Sequence, residues 1–270
     1  MSESKLISLG GLELVVTYRG ATQERRDNLR GVLRHLHATY SDYTVYLVEA
    51  DATPTFHWSG LGDENIRHIF IHDDGPFPKA KLCNLGARLC TGDIICFHDA
   101  DMIANPGFLV ATVNSLKLGT ASDVLCPFLR VINVTGDNRK NFIESGNYGA
   151  LEIYLETDLP AEMEVLYENT PGAIVLIKRS EYMRVGGYDP RFTGWGGEDD
   201  DLLTRATRLG VRWHSVQDAR AALFHLHHDA TSRQDAIAAA ERNREAAAET
   251  RAMPLPALEA RAASLAKYFD

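Results

Sequence analysis

Lys81 to Asp101 reads Lys-Leu-Cys-Asn-Leu-Gly-Ala-Arg-Leu-Cys-Thr-Gly-Asp-Ile-Ile-Cys-Phe-His-Asp-Ala-Asp, and this stretch decides the fold. Leu82, Leu85 and Leu89 recur at helical spacing, so a helix is expected from about Lys79 to Leu89. Ile94-Ile95-Cys96-Phe97 then runs apolar without alternation, the mark of a central strand covered on both faces. That strand ends at His98, and Asp99-Ala100-Asp101 follows directly. In open α/β sheets ligands bind outside the carboxyl ends of the strands, so two acids in a tight turn there are well placed for a site. Carboxylates of this kind suit Mg²⁺ or Mn²⁺, which can bridge two phosphates. The bland alternative is an Asx-turn that only closes a loop.

The same alternation extends outward in both directions. Leu12 to Tyr18 is a buried first strand ending in Thr17-Tyr18-Arg19-Gly20, followed by a helix with Leu29, Val32, Leu33 and Leu36 on one face. Tyr43 to Val48 is a second strand that stops at Glu49 and Asp51; a loop runs from Asp51 to Asp63, and Ile66 to Ile71 is a third strand. Strands alternating with helices predict an α/β fold with a Rossmann-like, mostly parallel central sheet flanked by helices. No Gly-x-Gly-x-x-Gly follows the first strand, which weighs against a dinucleotide cofactor. Past Pro106, Val124 to Val134 reads as one bent strand or two short ones. Thr135 to Pro160 is polar, rich in Gly and Asn, and is expected to be an insertion or mobile loop. Ala173 to Lys178, Val211 to Val216 and Ala219 to Leu226 are further strands. An Ala/Glu/Arg-rich helix starts at Thr231, Pro254 and Pro256 break it, and a last helix carries Leu258, Ala262 and Leu265. The expected organisation is one catalytic domain over 1–230, with halves 1–105 and 106–230, and a C-terminal helical tail over 231–270. The narrow apolar face of the tail makes packing on the core the default, against pairing with a second copy as a homodimer or lying on a membrane surface.

The 270 residues carry a formal charge of −9, are 45% hydrophobic and 24% charged, and contain no clustered Lys/Arg stripe, which argues against nucleic acid as a partner. An acidic protein that binds an anionic ligand needs a cation between them. Met1 to Gly11 lacks a signal-peptide pattern, and no run approaches the roughly 20 apolar residues that span a bilayer. Cys83, Cys90, Cys96 and Cys126 form no Cys-x-x-Cys pair and are expected to be reduced core residues of a cytoplasmic protein.

Two later clusters carry chemistry. Gly186 to Asp201 reads Gly-Gly-Tyr-Asp-Pro-Arg-Phe-Thr-Gly-Trp-Gly-Gly-Glu-Asp-Asp-Asp, and Leu202, Leu203, Ala206 and Leu209 continue at helical spacing. The acids therefore fall in the first turn of a helix, where the dipole favours negative charge. Four in a row is more than capping needs, and the indole of Trp195 offers a flat face for a sugar. In His225-Leu226-His227-His228 a strand would put His225 and His227 on one face, whereas a turn would bring His225 and His228 together. Imidazoles accept Mn²⁺ or Zn²⁺ more readily than Mg²⁺, so Asp101 with one or two of these histidines makes an oxygen/nitrogen metal site.

Lys81 to Asp101 resembles the donor half of GT-A glycosyltransferases, and Gly186 to Asp201 is similar to the acceptor half of the β1,4-galactosyltransferase family and its bacterial relatives. The resemblance implies that Tyr18 and Arg19 contact the nucleotide, that Phe77 stacks on uracil ahead of Lys79, and that Asp99 contacts the donor. It implies Mn²⁺, or Mg²⁺, on Asp101 with His225 and His228, where the family has Met-x-x-His; histidine in place of that methionine leaves the preferred metal open. Trp195 would lie against the sugars, Glu198 and Asp200 would position the acceptor, and Asp199 matches the general base. The stretch between the two motifs is longer than in the animal enzymes, and the membrane anchor and stem of Golgi members are not expected.

The leading reading is thus an inverting, metal-dependent transferase that moves a hexose, galactose or N-acetylgalactosamine, from a UDP-sugar to a carbohydrate or glycoconjugate hydroxyl. Asp199 would serve as base, the metal with Arg19 or Lys79 would neutralise the leaving diphosphate, and closure of the loop Gly194 to Gly197 would exclude water. The competing readings are a retaining GT-A transferase, a nucleotidyltransferase, and a sugar- or nucleotide-binding module without turnover.

Overall fold

The computed structural model describes residues 5–57, 63–119, 122–155, 159–229 and 233–269. Eleven strands form two sheets among these residues: β1 Ile7–Tyr18, β2 Tyr40–Asp51, β3 Ile66–His72, β4 Ile94–Asp99, β5 Met102–Ala104, β6 Val124–Cys126, β7 Arg130–Val134, β8 Met163–Glu168, β9 Ile174–Lys178, β10 Trp213–Ser215 and β11 Ala222–Leu226. The helices are α1 Gln23–Thr39, α2 Lys79–Leu89, α3 Pro106–Leu118, α4 Gly136–Ser145, α5 Gly149–Glu152, α6 Arg179–Arg184, α7 Glu198–Arg208, α8 Arg233–Ala252 and α9 Leu255–Ala266.

The main sheet has the order β10-β6-β9-β4-β1-β2-β3. β4, β1, β2 and β3 are parallel, while β9 runs antiparallel to both neighbours. Leu14, Val15 and Val16 of β1 have no exposed surface, because helices cover both faces of the sheet, as an unbroken apolar run requires. α2 lies so close to β1 that a Cβ on Gly86 would stand 2.3 Å from Val15. The four cysteines are free and buried, as expected for core residues.

A second sheet, β5-β11-β7-β8, was not foreseen. β7 and β11 fall within segments expected to be strands, whereas β5 and β8 do not, and that these four pair apart from the main sheet is not written in local periodicity. It meets the main sheet at the Asp-x-Asp turn, because β4 ends at Asp99 in one sheet and β5 begins at Met102 in the other.

Of the two alternatives expected for Thr135 to Pro160, an insertion or a mobile loop, the loop does not hold, because most of the stretch is helical. α4 and α5 occupy most of it, and residues 156–158 lie outside the described residues. Phe142 is fully buried, Ile143 packs beside Gly31 of α1, and the Arg34 guanidinium donates to the carbonyls of Ile143 and Glu144. A helix with one apolar anchor, docked by side chains from elsewhere in the chain, leaves almost no periodic signal. The tail is helical as expected, though its start at Thr231 also lies outside the described residues; α8 packs on α7, and α9 packs on α6 and α7. No helix among the described residues is long and apolar enough to cross a membrane.

His35 sits between α1 and the end of α4, with Nδ1 3.0 Å from the Gly146 carbonyl, and burial pushes its pKa down to about 4. His98, under the site, is also pushed down to about 4 by burial. Both are neutral when folded but would ionise near pH 6.5 when unfolded, so the unfolded chain binds more protons between these values. Their stability contribution is whole above pH 6.5 and is lost as pH falls toward 4. Each is expected to remove about 2 kcal/mol between pH 7.5 and pH 5. Denaturant midpoints at the two pH values check this, and His35→Leu should flatten the dependence; an unchanged slope would contradict the assignment.

Candidate active site

The turn between β4 and β5 brings distant residues to one place. The Asp101 carbonyl accepts the Leu226 N–H at 2.8 Å, which fixes the end of β11 beside the turn. His228 Nε2 then lies 3.0 Å and His225 Nε2 3.9 Å from Asp101 Oδ2. One ligand atom from each of the three residues lies within 4.8 Å of the others. Asn133 on β7 accepts from His225 Nδ1 at 2.9 Å, which keeps the proton there and leaves Nε2 free to face Asp101. His228 Nδ1 faces the Asp229 carbonyl at 3.2 Å, so its Nε2 lone pair points at a carboxylate. Two lone pairs in that relation need a proton or a cation between them, and one carboxylate with two imidazoles fits a divalent cation of intermediate hardness. Burial raises the Asp101 pKa, but the His228 hydrogen bond and the histidine charges outweigh it and hold the carboxyl well below its usual range. Burial lowers the His225 pKa, favouring the neutral, ligating form. His227 turns away toward Asn133 and Asp229, with its side chain 42% exposed.

A second group of charges surrounds Lys79, at the first position of α2. Its Nζ lies 3.1 Å from Asp99, 3.1 Å from Glu198 and 3.4 Å from Asp199. Burial works against its charge, but the three carboxylates prevail and its pKa is raised well above the ordinary lysine value. Asp99 is pushed up to about 7, first by burial and then by Asp101 and Asp199, against the pull of Lys79. Burial also raises Glu198, again opposed by Lys79. Asp199 accepts the Tyr188 hydroxyl at 2.6 Å. The Asp-x-Asp turn and the acid-rich helix, about a hundred residues apart in the chain, thus share one ammonium.

The four acids at the start of α7 divide by helical rotation. Glu198 and Asp199 face Lys79, and Asp200 is exposed. Asp201 points into the core, where it meets Arg205 at 2.7 Å and accepts the Thr250 hydroxyl at 2.5 Å. The excess over capping is therefore two groups for the site and one for the core.

The other sequence-selected residues are nearby. Tyr18 is buried, with its hydroxyl 3.5 Å from Thr55 Oγ1. The Arg19 guanidinium lies over the Phe77 ring at 5.4 Å and donates to the carbonyls of Ala50, Asp73 and Gly75. Those bonds make Arg19 a brace for the loops after β2 and β3. Trp195 is 71% exposed on a loop whose Gly194 N–H donates to the Phe77 carbonyl at 2.9 Å. Sequence reasoning missed Tyr188 and Asn133. Tyr188 lay inside the quoted Gly-Gly-Tyr-Asp run without a role; Asn133 was marked only by being the one polar residue in Val131-Ile132-Asn133-Val134.

The sheet order, the Asp-x-Asp turn at the carboxyl end of central strand β4 and the helical flanks are those of the GT-A fold. The chain belongs to glycosyl transferase family 2, whose sequence model matches residues 15–175. A model described as the N-terminal domain of galactosyltransferase matches residues 160–229. Human polypeptide N-acetylgalactosaminyltransferase 10 is 25% identical over 146 residues, 50% of this chain and 24% of that protein. Beta-1,4-galactosyltransferase 4 of Cricetulus griseus is 22% identical over 206 residues, 73% of this chain and 42% of that protein. The chain thus spans a quarter to two fifths of the length of these relatives. A crystal structure of GalNAc-T7 with UDP, GalNAc and Mn²⁺ shares the fold, with a TM-score of 0.54 at 13% identity, covering 79% of this chain and 42% of that one.

Proposed function

We propose that the protein transfers a hexose, galactose or N-acetylgalactosamine, from a UDP-sugar to a sugar hydroxyl of a carbohydrate or glycoconjugate acceptor, with inversion and with Mn²⁺ or Mg²⁺ as cofactor. The observation that carries this reading is Lys79 Nζ held within 3.4 Å of carboxylates from both halves, Asp99 on one side and Glu198 and Asp199 on the other. An acceptor hydroxyl at Asp199 would lose its proton to the carboxylate as its oxygen bonds to the anomeric carbon and the bond from that carbon to the diphosphate oxygen breaks. Tyr188 orients Asp199 through one carboxylate oxygen, and the Lys79 ammonium lies 3.4 Å from the other. Asp101, His225 and His228 would hold the divalent cation, which supplies charge neutralisation on the leaving diphosphate. One positioned base, and no assigned carboxylate nucleophile for a covalent intermediate, favours direct displacement; an α-linked product from an α-linked donor would rule inversion out.

The deciding measurement is UDP release from a panel of UDP-sugars with Mn²⁺ and then with chelator. Release from one or two donors, lost on chelation and restored by Mn²⁺, is the expected result. Absence of UDP binding with or without metal would sink the reading. Asn133→Ala should weaken Mn²⁺ binding by about 10–100-fold, because it frees the tautomer and orientation of His225. Titration calorimetry of Mn²⁺ against both proteins checks this, and equal affinities would remove Asn133 from that role.

A further inference from the structure

The C-terminal helices touch the Gly-Trp-Gly-Gly loop at one buried polar residue. Asn243 of α8 is 4% exposed, and its side-chain amide donates to the carbonyls of Thr193, Trp195 and Gly196 at 3.2, 3.3 and 2.7 Å. The backbones come unusually close there. A Cβ on Gly194 would lie 2.6 Å from the Ala239 Cβ, and one on Gly197 would lie 3.0 Å from the Asn243 Cβ. Two of the loop glycines thus face α8, where side chains would push the helix off. The opposite side of the loop is fixed by the Gly194 N–H to the Phe77 carbonyl. The helix is itself anchored, since Thr250 bonds Asp201 and Arg208 donates to the carbonyls of Thr250 and Met253.

We propose that Asn243 is a positioning residue for the Trp195 loop, so that the C-terminal helices set the conformation in which the indole meets the acceptor. An amide is well suited to this task, because it supplies two N–H donors to converging carbonyls that water would otherwise solvate. Trp195 is left outward and open on a backbone whose carbonyls are tied from behind. This rests on the reading of Trp195 as an acceptor-side residue, but the loop's dependence on Asn243 is a physical property apart from activity.

The test makes Trp195 the single tryptophan, with Trp58→Phe and Trp213→Phe, and compares Asn243→Asp with that parent. Aspartate keeps the shape, has no N–H to donate, and sets a negative charge against three carbonyls. The expected result is a lower fluorescence anisotropy of Trp195 and an acceptor KM raised about tenfold, the worth of one such hydrogen bond. The UDP dissociation constant and kcat should stay near the parent's, which a general loss of structure would not allow. Unchanged anisotropy and acceptor KM in a folded variant would overturn the proposal. If Asn243→Asp does not fold, Asn243→Ala in the same parent decides, since it removes all three bonds without adding a charge: a lower Trp195 anisotropy is expected, and an unchanged anisotropy would overturn the proposal. A parent that transfers no sugar defeats the transferase reading while leaving the anisotropy results to judge Asn243.

Discussion

Asp199→Asn is expected to lower kcat for sugar transfer by about 10²–10⁴-fold, the range for removal of a positioned general base. The substitution is close to isosteric, so its surroundings should persist. Asn still presents an oxygen to the Tyr188 hydroxyl, and Lys79 keeps Asp99 and Glu198 at 3.1 Å. What is lost is an acceptor for the proton of the sugar hydroxyl. UDP affinity should therefore remain close to the parent's, since Asp101, His225 and His228 are unaltered. Initial rates at saturating donor and acceptor, with UDP binding by calorimetry, separate these effects. Near-normal kcat would remove Asp199 from its role and shift attention to Glu198. Loss of UDP binding instead would mean that the Lys79 cluster holds the donor pocket together.

The second large effect concerns stability. Asp201 and Arg205 form a salt bridge at 2.7 Å in which neither side chain is exposed to solvent. Arg205 also donates to the carbonyls of Val185 and Gly187, and Asp201 receives Thr250 from the tail. Removing one member of a buried pair leaves the other charge uncompensated in a medium that solvates it poorly. Asp201→Ala is expected to lower stability by about 3–5 kcal/mol. In a chain of this size that corresponds to a fall in Tm of roughly 10 °C. Thermal unfolding followed by circular dichroism checks it. A shift below about 2 °C would show that the guanidinium finds other partners. The neighbouring acid gives the contrast: Asp200, exposed on the same turn, should change Tm little when replaced by Asn, as exposed charges contribute little.

The strands β1 to β4 and helices α1 and α2 were legible because each buries a continuous or evenly spaced apolar set, and burial is written in local order. The acids after β4 were legible for a related reason: polar residues that follow a buried strand mark its carboxyl end, where ligands bind in open α/β sheets. The choice among the histidines was not. Whether His227 or His228 joins His225 depends on where β11 ends, which is set by the Leu226 N–H to the Asp101 carbonyl, a bond across 125 residues. The helices over 136–155 were hidden because α1 supplies the contacts that hold α4, while their own composition reads as loop. The sharing of Lys79 between Asp99, Glu198 and Asp199, and the grip of Asn243 on the Trp195 loop, likewise join parts of the chain that no periodicity links. Which segments are buried, and which residues carry charge and ligating groups, is legible along the chain, because those properties belong to single side chains and their near neighbours. Which of those residues meet is fixed by the folded arrangement alone, because hydrogen bonds and charges act over a few ångströms of space and are indifferent to separation along the chain.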